Sequence, residues 1–367
     1  MGDSHRVGIV GLGNISRAYL DTLARVPSVR ITAVADLDRS RAEAVASALP
    51  EARAATVDEL VASPDVDTVL NLTIPAAHAD VALAAIAHDR DVYGEKPLAA
   101  TLDEARAMTA AADASGVRLG CAPDTVLGTG TQTARAAIDG GRIGRPLAAT
   151  AVMVTPGHER WHPNPDFYYR AGGGPLLDMG PYYVAALIHL LGPVRRVTGM
   201  SSRLRDERVI TGGERAGERI RVEVATHVSG VLEHDGGALS TLTTSFDGTA
   251  TTAAPIEVHG ELGTLSVPDP NHFDGEVRLA PLDDAGTWHP LAPAAGYVDA
   301  ARGVGLLDFL RADASRPARA GADVALHSLE VMTALLESAE SGERAVLTTT
   351  VERPVPVPLV PAADWRR

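Results

Sequence analysis

An apolar run from Arg6 to Gly11 breaks into Gly11-Leu12-Gly13-Asn14-Ile15-Ser16 and then into a stretch with helical apolar spacing, Arg17 to Ala24. Strand, glycine turn and helix in direct succession admit few folds, because the turn must be tight and the helix must start beside the strand's end. Gly11 permits that turn. Gly13 lets the backbone approach a pyrophosphate seated on the amides of Asn14 and Ile15, at the positive end of the helix. Ser16 stands where a third glycine or alanine is usual, and it is small enough for close helix packing. Alone the motif is weak, but a second strand, Arg30 to Ala35, ends at Asp36, twenty residues after Ser16. An acid there accepts both hydroxyls of an adenosine ribose and repels a 2′-phosphate, so NAD is expected over NADP. Arg39 and Arg41 keep the other outcome open, being near enough in sequence to hold a phosphate if Asp36 turns away.

The alternation continues. Val66 to Leu72 reads as a buried strand, Ala77 to His88 as a helix, Val92 to Gly94 as a strand, Leu102 to Ala114 as a helix and Val117 to Cys121 as a strand. Such a pattern builds a doubly wound parallel sheet with ligands at the carboxyl ends of its strands. Two motifs fall at such ends: Asn71-Leu72-Thr73-Ile74-Pro75 with His78 beyond it, and Glu95-Lys96-Pro97. Thr73, Pro75, His78 and Glu95 are therefore candidates to bind the cofactor. An ordinary strand-to-helix turn, with each proline stopping a strand, accounts for the same residues.

Composition narrows the class. With 45% hydrophobic and 22% charged residues the chain is globular and not disordered, and 367 residues suggest two domains. A net charge of −14 argues against a nucleic-acid or anionic-membrane partner, which needs concentrated positive charge. No uncharged apolar run reaches the roughly 18 residues of a membrane span, and Val7 to Val10 reads as a strand instead of a signal peptide, so a cytoplasmic location is expected. Cys121 is the only cysteine, which excludes an intrachain disulfide and a cysteine-cluster metal site. The 33 basic residues include a single lysine, Lys96, set between Glu95 and Pro97. Either arginine codons dominate and one lysine survived by chance, or that position needs an ammonium.

Beyond Cys121 the pattern changes. Gly172-Gly173-Gly174-Pro175-Leu176-Leu177-Asp178-Met179-Gly180-Pro181-Tyr182 leads into a helix to about Leu191, and Pro181 leaves open whether the regular helix starts before it or at it. Strand-like segments follow at Glu223 to Leu232, Ala238 to Phe246, Ile256 to His259 and Thr264 to Val267, then helices at Leu306 to Ala312 and Val324 to Glu340 and an extended tail at Pro354 to Pro361. Runs of strands separated by Gly and Asp turns point to an antiparallel sheet in a separate α+β domain. The expected division is 1–122 for the dinucleotide-binding domain and 123–367 for the second.

The glycine loop, Glu95-Lys96-Pro97 about eighty residues on and the Gly-Gly-Gly…Asp-x-Gly element about eighty further together resemble the glucose–fructose oxidoreductase and inositol dehydrogenase (Gfo/Idh/MocA) family, over nearly the whole chain. The resemblance implies an NAD(P)-dependent oxidoreductase acting on secondary hydroxyls of sugars, cyclitols or related diols. It also implies an open-faced, mostly antiparallel second sheet that commonly builds oligomer contacts, here a dimer or tetramer. Many members read Asp-x-Gly-x-His, with the histidine as acid/base; Tyr182 stands at that position, as in the branch with glucose–fructose oxidoreductase and dimeric dihydrodiol dehydrogenase.

Chemistry assigns roles within that frame. Oxidising a carbinol needs a base for the hydroxyl proton and a charge for the oxygen; a phenol with its ordinary pKa near 10 is a poor base unless a cation and a desolvated pocket assist it. Lys96 is expected to stabilise the oxygen, Tyr182 to carry the proton, and Asp178, four residues before Tyr182 and on the same face if the segment is helical, to hold Lys96 and accept a substrate hydroxyl. A helix cap at Asp178 and core packing at Tyr182 are the plainer alternatives. Asp124, after the last strand of the first sheet, and Trp161 and His162, in Gly157-His158-Glu159-Arg160-Trp161-His162-Pro163, are expected to line the substrate pocket. His158, Glu159 and His162 also raise a metal site, but Pro156, Gly157 and Pro163 oppose the helix that would present them together, so no metal is expected. Two further readings stand beside the dehydrogenase: redox-neutral glycoside cleavage through a transient 3-keto intermediate with retained NAD, and a non-catalytic NAD and sugar sensor.

Overall fold

The computed structural model describes residues 4–313 and 316–367. Its first third turns the apolar runs into strands β1 (His5–Val10), β2 (Val29–Ala35), β3 (Arg53–Ala55), β4 (Thr68–Asn71), β5 (Asp91–Gly94) and β6 (Leu119–Cys121), joined by helices α1 (Asn14–Leu23), α2 (Arg39–Ser47), α3 (Val57–Val61), α4 (Pro75–Ile86) and α5 (Leu102–Ser115). The strands pair in the order β3-β2-β1-β4-β5-β6, all parallel. β4 is buried along its whole length, as a strand covered on both faces must be. Local chemistry sets the helix ends. Thr56 with Glu59 and Thr101 with Glu104 form capping boxes, Asp38 caps α2, and Gly116 ends α5 in the left-handed conformation at φ 69°. Strand order reverses between β1 and β4, which opens a crevice at their carboxyl ends.

A second unit comprises Thr129–Gly296 and His327–Pro356. It holds α6 (Thr129–Asp139), β7 (Pro146–Val154), α7 (Pro175–Leu191), β8 (Val194–Ser202), a small ribbon of β9 (Glu207–Val209) and β10 (Arg219–Arg221), and then β11 (His227–His234), β12 (Leu239–Ser245), β13 (Ile256–Gly260), β14 (Gly263–Val267), β15 (Val277–Pro281) and β16 (His289–Leu291). The chain goes on through α8 (Val304–Leu310), α9 (Ala322–Ser341), β17 (Ala345–Val346) and α10 (Ala362–Trp365). Nine strands form one sheet in the order β16-β15-β14-β13-β7-β12-β11-β8-β17, antiparallel at every junction except the parallel pair β7 and β12. α7 packs on β7, β11 and β12 and is almost wholly buried. Where Gly199 and Gly230 stand in β8 and β11, a Cβ would come within 2.8 Å of Leu335 of α9, so glycine there lets that helix lie close on the sheet. Along β8, β11 and β12 buried residues alternate with exposed ones, leaving Met200, Val231 and Leu239 open on the other face, with Val346 of β17 beside them.

The expected single cut at 122/123 differs from this division. Tyr297–Leu326 and Val357–Arg367 cluster with the first unit, which therefore comprises three chain segments. Gly120 bridges Gly321 at the edge strand β6, and Trp365, 1% exposed, donates from Nε1 to the Val298 carbonyl at 2.8 Å.

Candidate functional site

The glycine turn fits a dinucleotide pyrophosphate. Gly11 has φ 91°, and a Cβ on it would lie 2.7 Å from the Leu72 carbonyl, so only glycine lets β1 and β4 approach this closely. A Cβ on Gly13 would meet nothing within 4 Å, and no side chain caps α1 behind it, which leaves room for phosphate oxygens before the amides of Asn14 and Ile15. Ser16 is buried and its hydroxyl donates to the Gly13 carbonyl at 2.7 Å, so it closes the turn in the third glycine's place. Asp36 ends up at the same turn. Its carboxylate accepts from the Leu12 amide at 2.8 Å and the Asp38 amide at 2.8 Å, with the Arg41 guanidinium 3.4 Å away.

Beside it, the ends of β4 and β5 form one hydrogen-bonded web. Asn71 accepts from the Thr73 hydroxyl at 2.7 Å and donates to the His78 carbonyl at 3.0 Å. The His78 ring is 2% exposed and lies between the carbonyls of Pro97 (Nδ1, 2.7 Å) and Thr73 (Nε2, 3.0 Å). Burial lowers its pKa. His78 thus braces the two loops from behind, a different placement from the expected one of touching a cofactor. Pro75 starts α4 at its first turn. Glu95 is buried and accepts from the Tyr19 hydroxyl of α1 at 2.8 Å and from the Lys96 amide at 3.1 Å, which fixes the backbone carrying the lone lysine. Tyr19 escaped sequence reasoning because nothing in its helix periodicity marks a partner 76 residues away.

Asp124 also departs from expectation. Its side chain is fully buried and accepts from the Gly303 and Gly305 amides at 2.8 and 3.1 Å, with Arg302 3.4 Å off. It clamps the returning segment to the first unit instead of lining a pocket, and burial raises its pKa although Arg302 opposes the shift.

In the second unit the helix α7 begins at Pro175 and runs through Pro181, so Asp178 and Tyr182 lie one turn apart on the same face. Asp178 accepts from His158 Nε2 at 2.9 Å. The His158 ring is packed edgewise against Tyr168 (4.5 Å between centroids) and Trp161 (5.2 Å) and tilted on Phe246 (4.5 Å). Trp161 is 64% exposed, and His162, whose pKa burial lowers, sits between the rings of Trp161 and Phe167. Glu159 points elsewhere, to the Tyr169 hydroxyl and to Arg208 at 2.9 Å, and Arg208 also reaches Asp247 at 2.5 Å. His158 and Glu159 therefore serve separate networks, and no three His, Cys, Asp or Glu side chains gather as a metal site among the described residues. The pairing of His158 with Asp178, twenty residues on, carries no local signature in the sequence.

Comparison with known proteins identifies the family of the chain. Residues 5–122 match the model of an oxidoreductase family with an NAD-binding Rossmann fold, and residues 131–266 match the GFO/IDH/MocA C-terminal domain. The chain is 30% identical over 365 residues to a 1,5-anhydro-D-fructose reductase of Ensifer adhaerens, covering 94% of this chain and 99% of the relative. It is 28% identical to an inositol 2-dehydrogenase of Saccharopolyspora erythraea over 76% of this chain and 79% of that one. An NAD-binding oxidoreductase from Klebsiella pneumoniae shares the fold, with a TM-score of 0.81 at 23% identity over 94% of this chain and 100% of that structure. No described helix is long and apolar enough to cross a membrane.

Proposed function

The chain belongs to the GFO/IDH/MocA oxidoreductase family, and from that premise we propose that it is an NAD-dependent dehydrogenase or reductase working on a secondary hydroxyl, or the matching ketone, of a sugar, sugar derivative or cyclitol. The observation that carries the reading is the convergence, at the carboxyl ends of β1, β2 and β5, of the glycine cradle, Asp36 and a Lys96 whose backbone Glu95 holds. The two named relatives, an anhydrofructose reductase and an inositol dehydrogenase, supply the substrate class. NAD seated on the glycine turn supplies the hydride acceptor and donor. The amides of Asn14 and Ile15 hold its pyrophosphate beside Gly11 and Gly13. Asp36 receives the adenosine ribose hydroxyls and disfavours a 2′-phosphate, with Thr73, Pro75 and Glu95 along the rest of the binding edge.

Lys96 stabilises negative charge on the reacting oxygen. Tyr182 takes the hydroxyl proton in oxidation and returns it in reduction, Asp178 accepts a hydroxyl of the substrate, and Trp161 with His162 offers an aromatic platform and a polar edge to a sugar ring. The open face of the nine-stranded sheet serves as the contact of a dimer or tetramer. The test of the catalytic reading is an absorbance screen at the NADH band, run in both directions over aldoses, inositols, anhydrosugars, keto-sugars and glycosides. At least one pair is expected to turn over; an enzyme that binds NAD yet is inert on the whole panel refutes it.

A further inference from the structure

We propose that His158 is the positioning residue of the Asp178 carboxylate, and that its single hydrogen bond sets both the orientation of that group and the lower end of the pH range in which it works. The proposal rests on the reading above that Asp178 contacts substrate. A carboxylate only accepts hydrogen bonds, so the 2.9 Å contact requires His158 Nε2 to carry the donated proton. The other nitrogen, Nδ1, is buried and has no hydrogen-bond partner among the described residues. Three of the four other buried histidines among the described residues are satisfied at both nitrogens: His78 by the Pro97 and Thr73 carbonyls, His234 by the Gly192 carbonyl and the Ser240 hydroxyl, His327 by the Val194 amide and the Thr349 hydroxyl. Leaving a buried ring nitrogen unsatisfied is unfavourable. A histidine kept there for packing alone gains nothing from its imidazole over a phenyl ring, whereas one kept for Asp178 needs Nε2.

The surroundings hold the ring in that one task. Tyr168, Trp161 and Phe246 enclose it, and Glu159, Arg160 and His162 are the other titratable groups on its own loop. Asp178 faces it from α7. Beyond Phe246, Asp247 is engaged with Arg208 and with the Thr226 hydroxyl at 2.6 Å. The next residue, Glu159, is pinned to Arg208 and Tyr169, and the preceding Gly157 has φ 103° with no room for a Cβ, so the loop cannot turn the ring away without breaking a buried ion pair. A donor held in place against a carboxylate favours its ionised form and orients it.

The test compares His158→Phe, which keeps a flat ring without the N–H, with His158→Gln, whose amide N–H reaches about where Nε2 does. In His158→Phe, kcat is expected to fall about ten- to hundredfold, the scale of a lost hydrogen bond to a charged group, with NADH affinity unchanged and the acid limb of the kcat/KM profile about one pH unit higher. His158→Gln is expected to restore most of kcat and the position of that limb. A His158→Phe enzyme with native kcat and an unmoved limb overturns the proposal, and so does a His158→Gln enzyme as impaired as His158→Phe. If the wild type turns over nothing on the panel, the functional reading fails by itself. The positioning role is then read from the Asp178 carboxyl followed by NMR in wild type and His158→Phe: a displaced titration supports it and coincident curves overturn it.

Discussion

Lys96 illustrates what one residue discloses. Its rarity was visible in the sequence, and so was its place at the end of a strand; the brace beneath it, Glu95 held by Tyr19, was not. Arginine keeps the charge of lysine, but its guanidinium is planar and larger and does not shift its pKa readily. Lys96→Arg is therefore expected to lower kcat by about a hundredfold or more with NAD affinity within a few-fold, as measured by steady-state kinetics and NADH fluorescence. Native turnover would return the lone lysine to codon chance. Tyr182, 6% exposed, tolerates phenylalanine sterically, so Tyr182→Phe removes only the hydroxyl and is expected to cut kcat about 10²- to 10⁴-fold while leaving the NADH dissociation constant in place. At Asp36, alanine removes the acid and leaves Arg41 beside the turn. The ratio of kcat/KM for NAD over NADP is expected to drop by about tenfold or more, and an unchanged ratio would take Asp36 out of cofactor selection.

At the scale of elements, helix periodicity and capping chemistry made the first sheet legible, because both depend on residues within a few positions of each other. The second sheet was less so. β11 starts four residues later than the apolar pattern suggested; β7, Pro-Leu-Ala-Ala-Thr-Ala-Val-Met-Val, is apolar at nearly every position, and β8, Val-Arg-Arg-Val-Thr-Gly-Met-Ser-Ser, lacks a regular apolar alternation. What makes them strands is pairing with neighbours far along the chain, β7 with β12 and β13, β8 with β11 and β17. The pleat then decides which side chains face outward. Met200, Val231, Leu239 and Val346 share the open face, and an apolar group of this kind on a large sheet suits an isologous contact. Val231→Arg, at a 42% exposed position, is expected to leave the melting temperature of the isolated chain nearly unchanged and to shift the mass measured by light scattering to that of a smaller assembly. An unaltered mass would move the contact elsewhere.

For the whole molecule, the buried histidines tie stability to pH. Burial lowers the pKa of His78, His234 and His327. Unfolded, each titrates near about 6.5, so in mild acid the unfolded chain binds more protons than the folded one. The stability these residues contribute is present above about pH 6.5 and is lost as pH falls through their lower folded values. The melting temperature is expected to be level between about pH 7 and 8 and to decline below about pH 6.5, less steeply when His234 is replaced by Gln; a level profile down to about pH 5 would contradict this.

The sequence by itself determined the order of elements, the dinucleotide turn, the acid at the end of β2 and the motifs that place the chain in its family. Each of these is written in spacings of a few residues, where periodicity, glycine and capping act locally. Only the tertiary structure decided that the carboxyl terminus belongs with the first unit, that Asp124 clamps Gly303 and Gly305, that His78 braces two loops and that His158 faces Asp178. The partner of a polar side chain depends on which distant segment the fold brings within about 3 Å, and no local pattern records that distance.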